Sequence, residues 1–140
     1  MTATTAALPP TNADAAAGGL FGAHHARMGR MKAESPEIAR AFGGMFAGLM
    51  KDNAAAGGLS ALHKELVALA IGIAQHCTPC ILSHVEKCMR LGATRQQVLD
   101  AAAVAVVMQG GPAYVHVPVV LEALDAMESN NGAPNRGAGA

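Results

Sequence analysis

Tryptophan is absent from this chain, and one Tyr and three Phe are all the aromatic bulk its 140 residues offer. A core built on large rings is thereby excluded. The apolar content, 51%, is carried mainly by Ala and aliphatic residues. Small-residue helices can approach closely but bury little area each, so sister subunits are expected to cover part of the apolar surface. Charge of one sign is missing too: ten basic and ten acidic residues cancel. With no Lys/Arg cluster, nucleic acid is excluded as an expected partner. Long apolar runs are absent, since the stretches 66–74 and 101–108 fall short of the roughly 20 residues that span a bilayer. No membrane association is expected. Residues 1–19 lack the basic start and continuous apolar centre of a secretory signal. Three cysteines are too few for a disulfide framework, and two of them in C-x-x-C spacing suggest a reducing compartment, with the cytoplasm as default.

What is present reads as one helical domain. The spacing predicts an Ala-rich flexible arm over 1–19, a single all-α domain over 20–128 and a loose tail over 129–140. Five to six helices are expected and no strand. The first runs over 20–33. Ser35-Pro36-Glu37 opens a second, with Ser35 as N-cap and Pro at the first helical position, ending near Asp52. Gly57-Gly58 breaks the chain, and Ser60 caps a third helix with Leu62, Leu66, Leu69 and Ile73 at helical spacing. A fourth begins at Cys77 and stops at Gly92, a suitable C-cap. Thr94-Arg95-Gln96-Gln97 matches a capping box, and the Ala/Val-rich fifth helix that follows is expected to be central. Gly110-Gly111-Pro112 ends it and starts a sixth, to about Glu128.

The chemistry concentrates in Cys77-Thr78-Pro79-Cys80-Ile81-Leu82-Ser83-His84. On a helix, Cys77, Cys80, His84 and Cys88 share one face. The first cysteine sits where unpaired N–H groups and the macrodipole favour a thiolate. Pro79 is tolerated there because a first-turn N–H has no intrahelical acceptor. Two thiols at this spacing can close a short disulfide. If the third and fourth helices fold back across Gln75-His76, Glu65 lies about 15 Å along one and His84 about 10 Å along the other. A carboxylate and an imidazole can meet at those depths, which would orient the ring and leave its second nitrogen for a cysteine.

Plainer uses of the same residues remain open. The cysteine pair could be half of a zinc site with His84 and a ligand such as His116, although no second C-x-x-C exists. Cys88 reads as a packed small hydrophobe. His24, His25 and His63 read as surface residues, and the Met residues as gap-fillers. Gly110-Gly111 is followed by no Lys-Ser/Thr, so no phosphate cradle and no organic cofactor are expected.

The pattern Glu65-x11-Cys77-x-x-Cys80-x3-His84, with Leu59-Ser60, Lys64-Glu65-Leu66-Val67-Ala68-Leu69-Ala70 and Leu91-Gly92-Ala93-Thr94 around it, resembles the alkylhydroperoxidase D-like branch of the carboxymuconolactone decarboxylase superfamily. The likeness covers roughly residues 59–128. It implies an all-helical subunit in a homo-trimer or homo-hexamer. It also implies a thiol peroxidase or disulfide reductase acting on a small hydroperoxide or disulfide and re-reduced by a lipoyl- or thioredoxin-type dithiol. In that family the second cysteine attacks, the first resolves, and Glu and His relay protons. Carried over residue by residue, these are Cys80, Cys77, Glu65 and His84. The peroxidases it resembles have a histidine directly before the second cysteine, where this chain has Pro79. The decarboxylase branch lacks the cysteine pair and is the alternative enzyme reading. A helical binding module with a metal-holding or structural Cys/His cluster is the non-catalytic one.

Overall fold

The structure, a computed structural model, describes residues 12–132, with side chains described over 19–129. The chain is all-α. Among the described residues it forms six helices and one single-turn helix, with no strand: α1 Asn12–Glu34, α2 Pro36–Met50, α3 Ala61–Ala74, α4 Thr78–Arg90, α5 Arg95–Gln109, the one-turn α6 Gly111–Tyr114, and α7 Val117–Gly132. A 3-10 turn, Ala54–Ala56, lies between α2 and α3. No helix among the described residues is long and apolar enough to cross a membrane.

The core sits where α3 packs on α4 and α5, and α4 packs in turn on α7. Each helix contributes residues at helical spacing. Leu69 and Ile73 come from α3, Ile81, Val85 and Cys88 from α4, Val98, Ala102 and Ala105 from α5, and Val120 and Leu124 from α7, all buried. Burial of each Val, Leu or Ile contributes about 1.5–3 kcal/mol. These few side chains therefore supply much of what orders the bundle.

Local signals place the ends. Ser60 Oγ accepts the backbone N–H of His63 and starts α3. Thr94 and Gln97 form a reciprocal capping box at α5. At the end of α4, Gly92 takes the left-handed conformation (φ 87). Gly92 N–H then donates to the Met89 carbonyl and Ala93 N–H to that of Cys88, a Schellman closure that satisfies two otherwise unpaired carbonyls.

Four expectations need correction. Ser35 precedes α2 but its side chain makes no capping bond; its N–H instead donates to the Met31 carbonyl, continuing α1 almost into α2. The expected single sixth helix is two, α6 and α7, with Pro118 in the first turn of α7, where a missing N–H is harmless. The first helix reaches back to Asn12, with a kink at Gly19 that leaves its second segment starting at Leu20. And α5 is not central all round: Val104, Val107 and Met108 are exposed. The expected arm and tail lie partly outside the described residues, at 1–11 and 133–140.

Candidate active site

The site is built at the turn joining α3 to α4. The end of α3 closes with His76 N–H donating to the Ile73 carbonyl and Cys77 N–H to that of Gly72, both at 3.0 Å. This closure puts His76 at the left-handed position, φ 56, where glycine is usual. A side chain there costs roughly 1–2 kcal/mol. The His76 ring stacks on His116 with centroids 5.0 Å apart, and His116 Nδ1–H donates to the Pro112 carbonyl at 2.8 Å.

Cys77 is the N-cap of α4. Its Sγ accepts the backbone N–H of Cys80 at 3.3 Å, and a disulfide joins it to Cys80 across a Cα separation of 5.2 Å. The cap position gives Cys77 both a hydrogen bond and the positive end of the helix dipole, two influences that favour a thiolate when the bond opens. Cys80 lies against α3 because residue 72 is glycine. A Cβ at Gly72 would stand 3.2 Å from the Cys80 Cβ.

One turn further along α4, His84 Nδ1–H donates to Glu65 Oε2 at 2.6 Å. Glu65 is 4% exposed, so this carboxylate has left water for the imidazole. The contact fixes the ring tautomer and leaves Nε2 as the acceptor that can take a proton from a thiol. Glu65, at the edge of the α3 stripe, is among the few buried charged side chains in the described bundle. Burial of an unpaired charge is costly, and the imidazole answers it.

Cys80 and His84 open on a cavity of about 180 Å³ walled by Met28, Phe42, Phe46, Pro79, Ser83 and Lys87, with His24 at one side. The Phe46 ring stacks on His84 (centroids 6.3 Å, 24°), and Lys87 Nζ lies 3.8 Å over the other partner of the stack, the Phe46 ring. A cation over a ring contributes about 0.5–1 kcal/mol at partly exposed sites. A second cavity of about 320 Å³, which shares Phe42, Phe46, Ser83 and Lys87, runs on toward Lys32 and Glu86.

The remaining cysteine is outside this chemistry. Cys88 is fully buried, and burial, helped by the nearby Glu65 charge, pushes its thiol up to about 12. Such a thiol is inert at neutral pH. Among the described residues no three His, Cys, Asp or Glu side chains are grouped to hold a metal ion.

The structure thus brings Cys77, Cys80, His84 and Glu65 to one corner. It adds residues that the sequence reading did not single out for the site, namely Phe46, Ser83, Lys87 and His24. Ser83 and Lys87 were legible as α4 neighbours of His84. Phe46 and His24 come from α2 and α1, and no local pattern announces them. His24, expected at the surface, is 8% exposed; burial and the neighbouring His25 hold its pKa below the usual imidazole range. His25 is exposed and pairs with Glu86 at 2.9 Å.

The model for the carboxymuconolactone decarboxylase family matches residues 36–126, the span that holds all four of these side chains. The chain belongs to the carboxymuconolactone decarboxylase family. Among curated relatives, an uncharacterised protein of Cupriavidus necator is 32% identical over 109 residues, covering 71% of this chain and 96% of its own. An uncharacterised protein from the cox locus of Paracoccus denitrificans is 37% identical over 83 residues, covering 59% and 75%. Among solved structures, the apo form of a carboxymuconolactone decarboxylase family protein from Legionella pneumophila superposes with a TM-score of 0.62 at 32% identity, covering 75% of this chain and 88% of that one.

Proposed function

We propose that this family member is a thiol-dependent oxidoreductase that reduces small hydroperoxides or disulfides through Cys77 and Cys80, with His84 and Glu65 moving the proton. The observation that carries the reading is the buried 2.6 Å contact between His84 and Glu65, one helical turn from a cysteine that faces a cavity.

In the reduced protein, Cys80 gives its proton to His84 Nε2 and the thiolate attacks the terminal oxygen of a hydroperoxide. The O–O bond breaks, the alkoxide takes the proton from His84 and leaves as an alcohol, and Cys80 becomes a sulfenic acid. Cys77 attacks the Cys80 sulfur, and hydroxide departs as water with the Cys77 proton. Two electrons have passed to the peroxide and the Cys77–Cys80 disulfide has formed. An external dithiol of lipoyl or thioredoxin type reverses this. One thiolate attacks Cys80 Sγ and expels Cys77, whose cap position makes it a good leaving thiolate. The second donor thiol then attacks the mixed disulfide, and the donor leaves oxidised with its two protons transferred. A disulfide substrate runs the same exchange without the oxygen step. Pro79 adds no proton carrier, so the relay rests on His84 and Glu65.

The test is titration of the reduced protein with a stoichiometric amount of cumene hydroperoxide, followed by peptide mapping. Rapid loss of two thiols with a mapped Cys77–Cys80 disulfide, and recovery with dihydrolipoamide, is the expected result. Full turnover by Cys80→Ser would end the proposal, and turnover surviving loss of both cysteines would point to the decarboxylase-type alternative.

Assembly into a homo-trimer or homo-hexamer in the cytoplasm is part of the same proposal. Ile38, Phe42, Met45 and Leu49 form an exposed apolar stripe on α2, and Val104, Val107 and Met108 another on α5. Contiguous apolar faces of this kind are ordinarily covered by a partner. Light scattering would report the mass.

A further inference from the structure

The walls of the cavity beside Cys80 are not uniformly apolar, and the exception has a direction. Met28, Phe42 and Phe46 give it hydrophobic sides, which suit a hydrocarbon body. Lys87 lies on the same α4 face as Cys80, seven residues on, about 10 Å along the axis. Its side chain leans back toward the helix N-terminus and the reactive end. Among the described residues no carboxylate pairs with it. The acidic residue lining the adjoining cavity, Glu86, is held by His25 at 2.9 Å and Arg90 at 2.6 Å. Lys32 adds a second cation to that cavity's wall. The ammonium of Lys87 instead rests on the face of Phe46, a contact it can exchange for an anion, since an ion pair in a partly dry pocket outweighs one cation–ring contact.

We propose that this site selects amphipathic anions, an apolar chain or ring ending in a carboxylate with the hydroperoxide or disulfide at its far end, and that Lys87 is the residue that reads the carboxylate. The inference rests on the thiol oxidoreductase reading for its far end, and on geometry alone for its charged end. Phe46 has two roles in it: one face steadies His84, and the ring holds Lys87 at the mouth until the substrate arrives. Lys87 is a specificity residue and takes no part in the sulfur chemistry.

Two measurements separate the inference from the reading beneath it. Binding of octanoate and of octanamide, which are redox-inert and differ in charge, is measured by calorimetry on the full chain, wild type, Lys87→Met and Lys87→Arg. Octanoate is expected to bind roughly five-fold tighter than octanamide. Lys87→Met should erase that preference and Lys87→Arg should keep it. Equal affinities in the wild type, no binding of octanoate, or a preference that survives Lys87→Met overturns the inference whatever the redox result. Turnover of lipoate against lipoamide, with dithiothreitol supplying the electrons that regenerate the Cys77–Cys80 dithiol and the uncatalysed rate subtracted, is then compared in the same variants. Wild type should favour lipoate through KM, and Lys87→Met should lower kcat/KM for lipoate alone. A loss of equal size for both substrates would make Lys87 merely structural and overturn the assignment. No reaction with either disulfide or with cumene hydroperoxide, beside intact octanoate selectivity, would remove the redox reading and leave an anion-selective pocket.

Discussion

The α3–α4 hairpin and helix α2 wall the same cavity but are held in opposite ways. The hairpin buries Glu65, Leu69, Gly72 and Ile73 from one helix and Ile81, Leu82, Val85 and Cys88 from the other. Helix α2 buries no side chain at all. Its attachments are few: Lys64 Nζ donates to the Leu49 and Lys51 carbonyls at 2.8 Å each, and Phe46 lies between His84 and Lys87. The lesson concerns division of labour. The groups proposed to exchange protons and electrons need fixed geometry and stand on the packed hairpin. The cavity wall opposite them stands on a helix with little burial, which belongs to the low-stability end of the single chain.

The largest effect is expected from removing the proposed relay from the rigid side. His84→Gln keeps a polar side chain but no proton acceptor of suitable strength, and should lower peroxide or disulfide turnover about 10²–10⁴-fold, read as kcat/KM with the fold checked by circular dichroism. Glu65→Gln should do less, because the ring stays but loses its orienting carboxylate. A normal rate in His84→Gln would take the proton transfer off His84 and leave only the cysteine pair on the hairpin.

Stability should divide along the same line. Ile73 is fully buried, so Ile73→Ala is expected to cost about 2–5 kcal/mol, a large share of the 5–15 kcal/mol typical of a domain. Ile38 on α2 is 63% exposed, and Ile38→Ala should change denaturant stability by no more than about 0.5 kcal/mol in the isolated chain. At concentrations where the proposed homo-oligomer assembles, a larger loss from Ile38→Ala is expected if the α2 stripe is the covered face, and a comparable loss in the dissociated chain would contradict the loose attachment of α2.

The hairpin was legible in the sequence and α2's contribution was not, for a physical reason. Glu65, Cys77, Cys80 and His84 lie on adjacent helices joined by a three-residue turn, so helix rise alone sets their relative depths. The caps at Ser60, Thr94 and Gly92 are local hydrogen-bond patterns that residue identity nearly determines. Phe46 and His24 reach the site through tertiary packing, which no spacing rule encodes. His24 looked like a surface residue because nothing local tells how α1 lies on α4 and α7. Ser35 had the right identity for a cap, but its N–H stays bonded to the Met31 carbonyl and its side chain to none of α2's free N–H groups. The split of the expected sixth helix had a readable signal in Pro118, which fits a first turn better than an interior. The exposed side of α5 could not be read from composition, because Ala and Val suit a buried face and a subunit interface equally.

A smaller effect should come from untying α2. Lys64→Met removes the ammonium from two carbonyls at the C-terminal end of that helix while keeping the stem of the side chain. At an exposed site the loss is about 1 kcal/mol, and it should appear as faster hydrogen exchange in α2 amides with α3–α4 amides unchanged. Equal acceleration in both would show that the two regions open together and that α2 is no separate unit.

The smallest predicted effect lies where the two regions meet, at His24, which lines the cavity from α1. Burial first, then the charge of His25, lowers its pKa below 6.5, while Glu86 opposes and Arg27 and Lys87 add to the shift. The unfolded chain therefore binds a proton near pH 6.5 that the folded chain refuses until a lower pH. Between those two values the unfolded state holds more protons, so stability rises with pH and is lost as pH falls through that window. His24→Leu removes the group and should flatten the dependence of the denaturation midpoint below about pH 6.5, leaving the neutral-pH value little changed. An unaltered slope would place the acid-sensitive group elsewhere. A flattened slope confined to α1 and α2 amides in exchange measurements would show that protonation loosens the substrate wall before it reaches the hairpin.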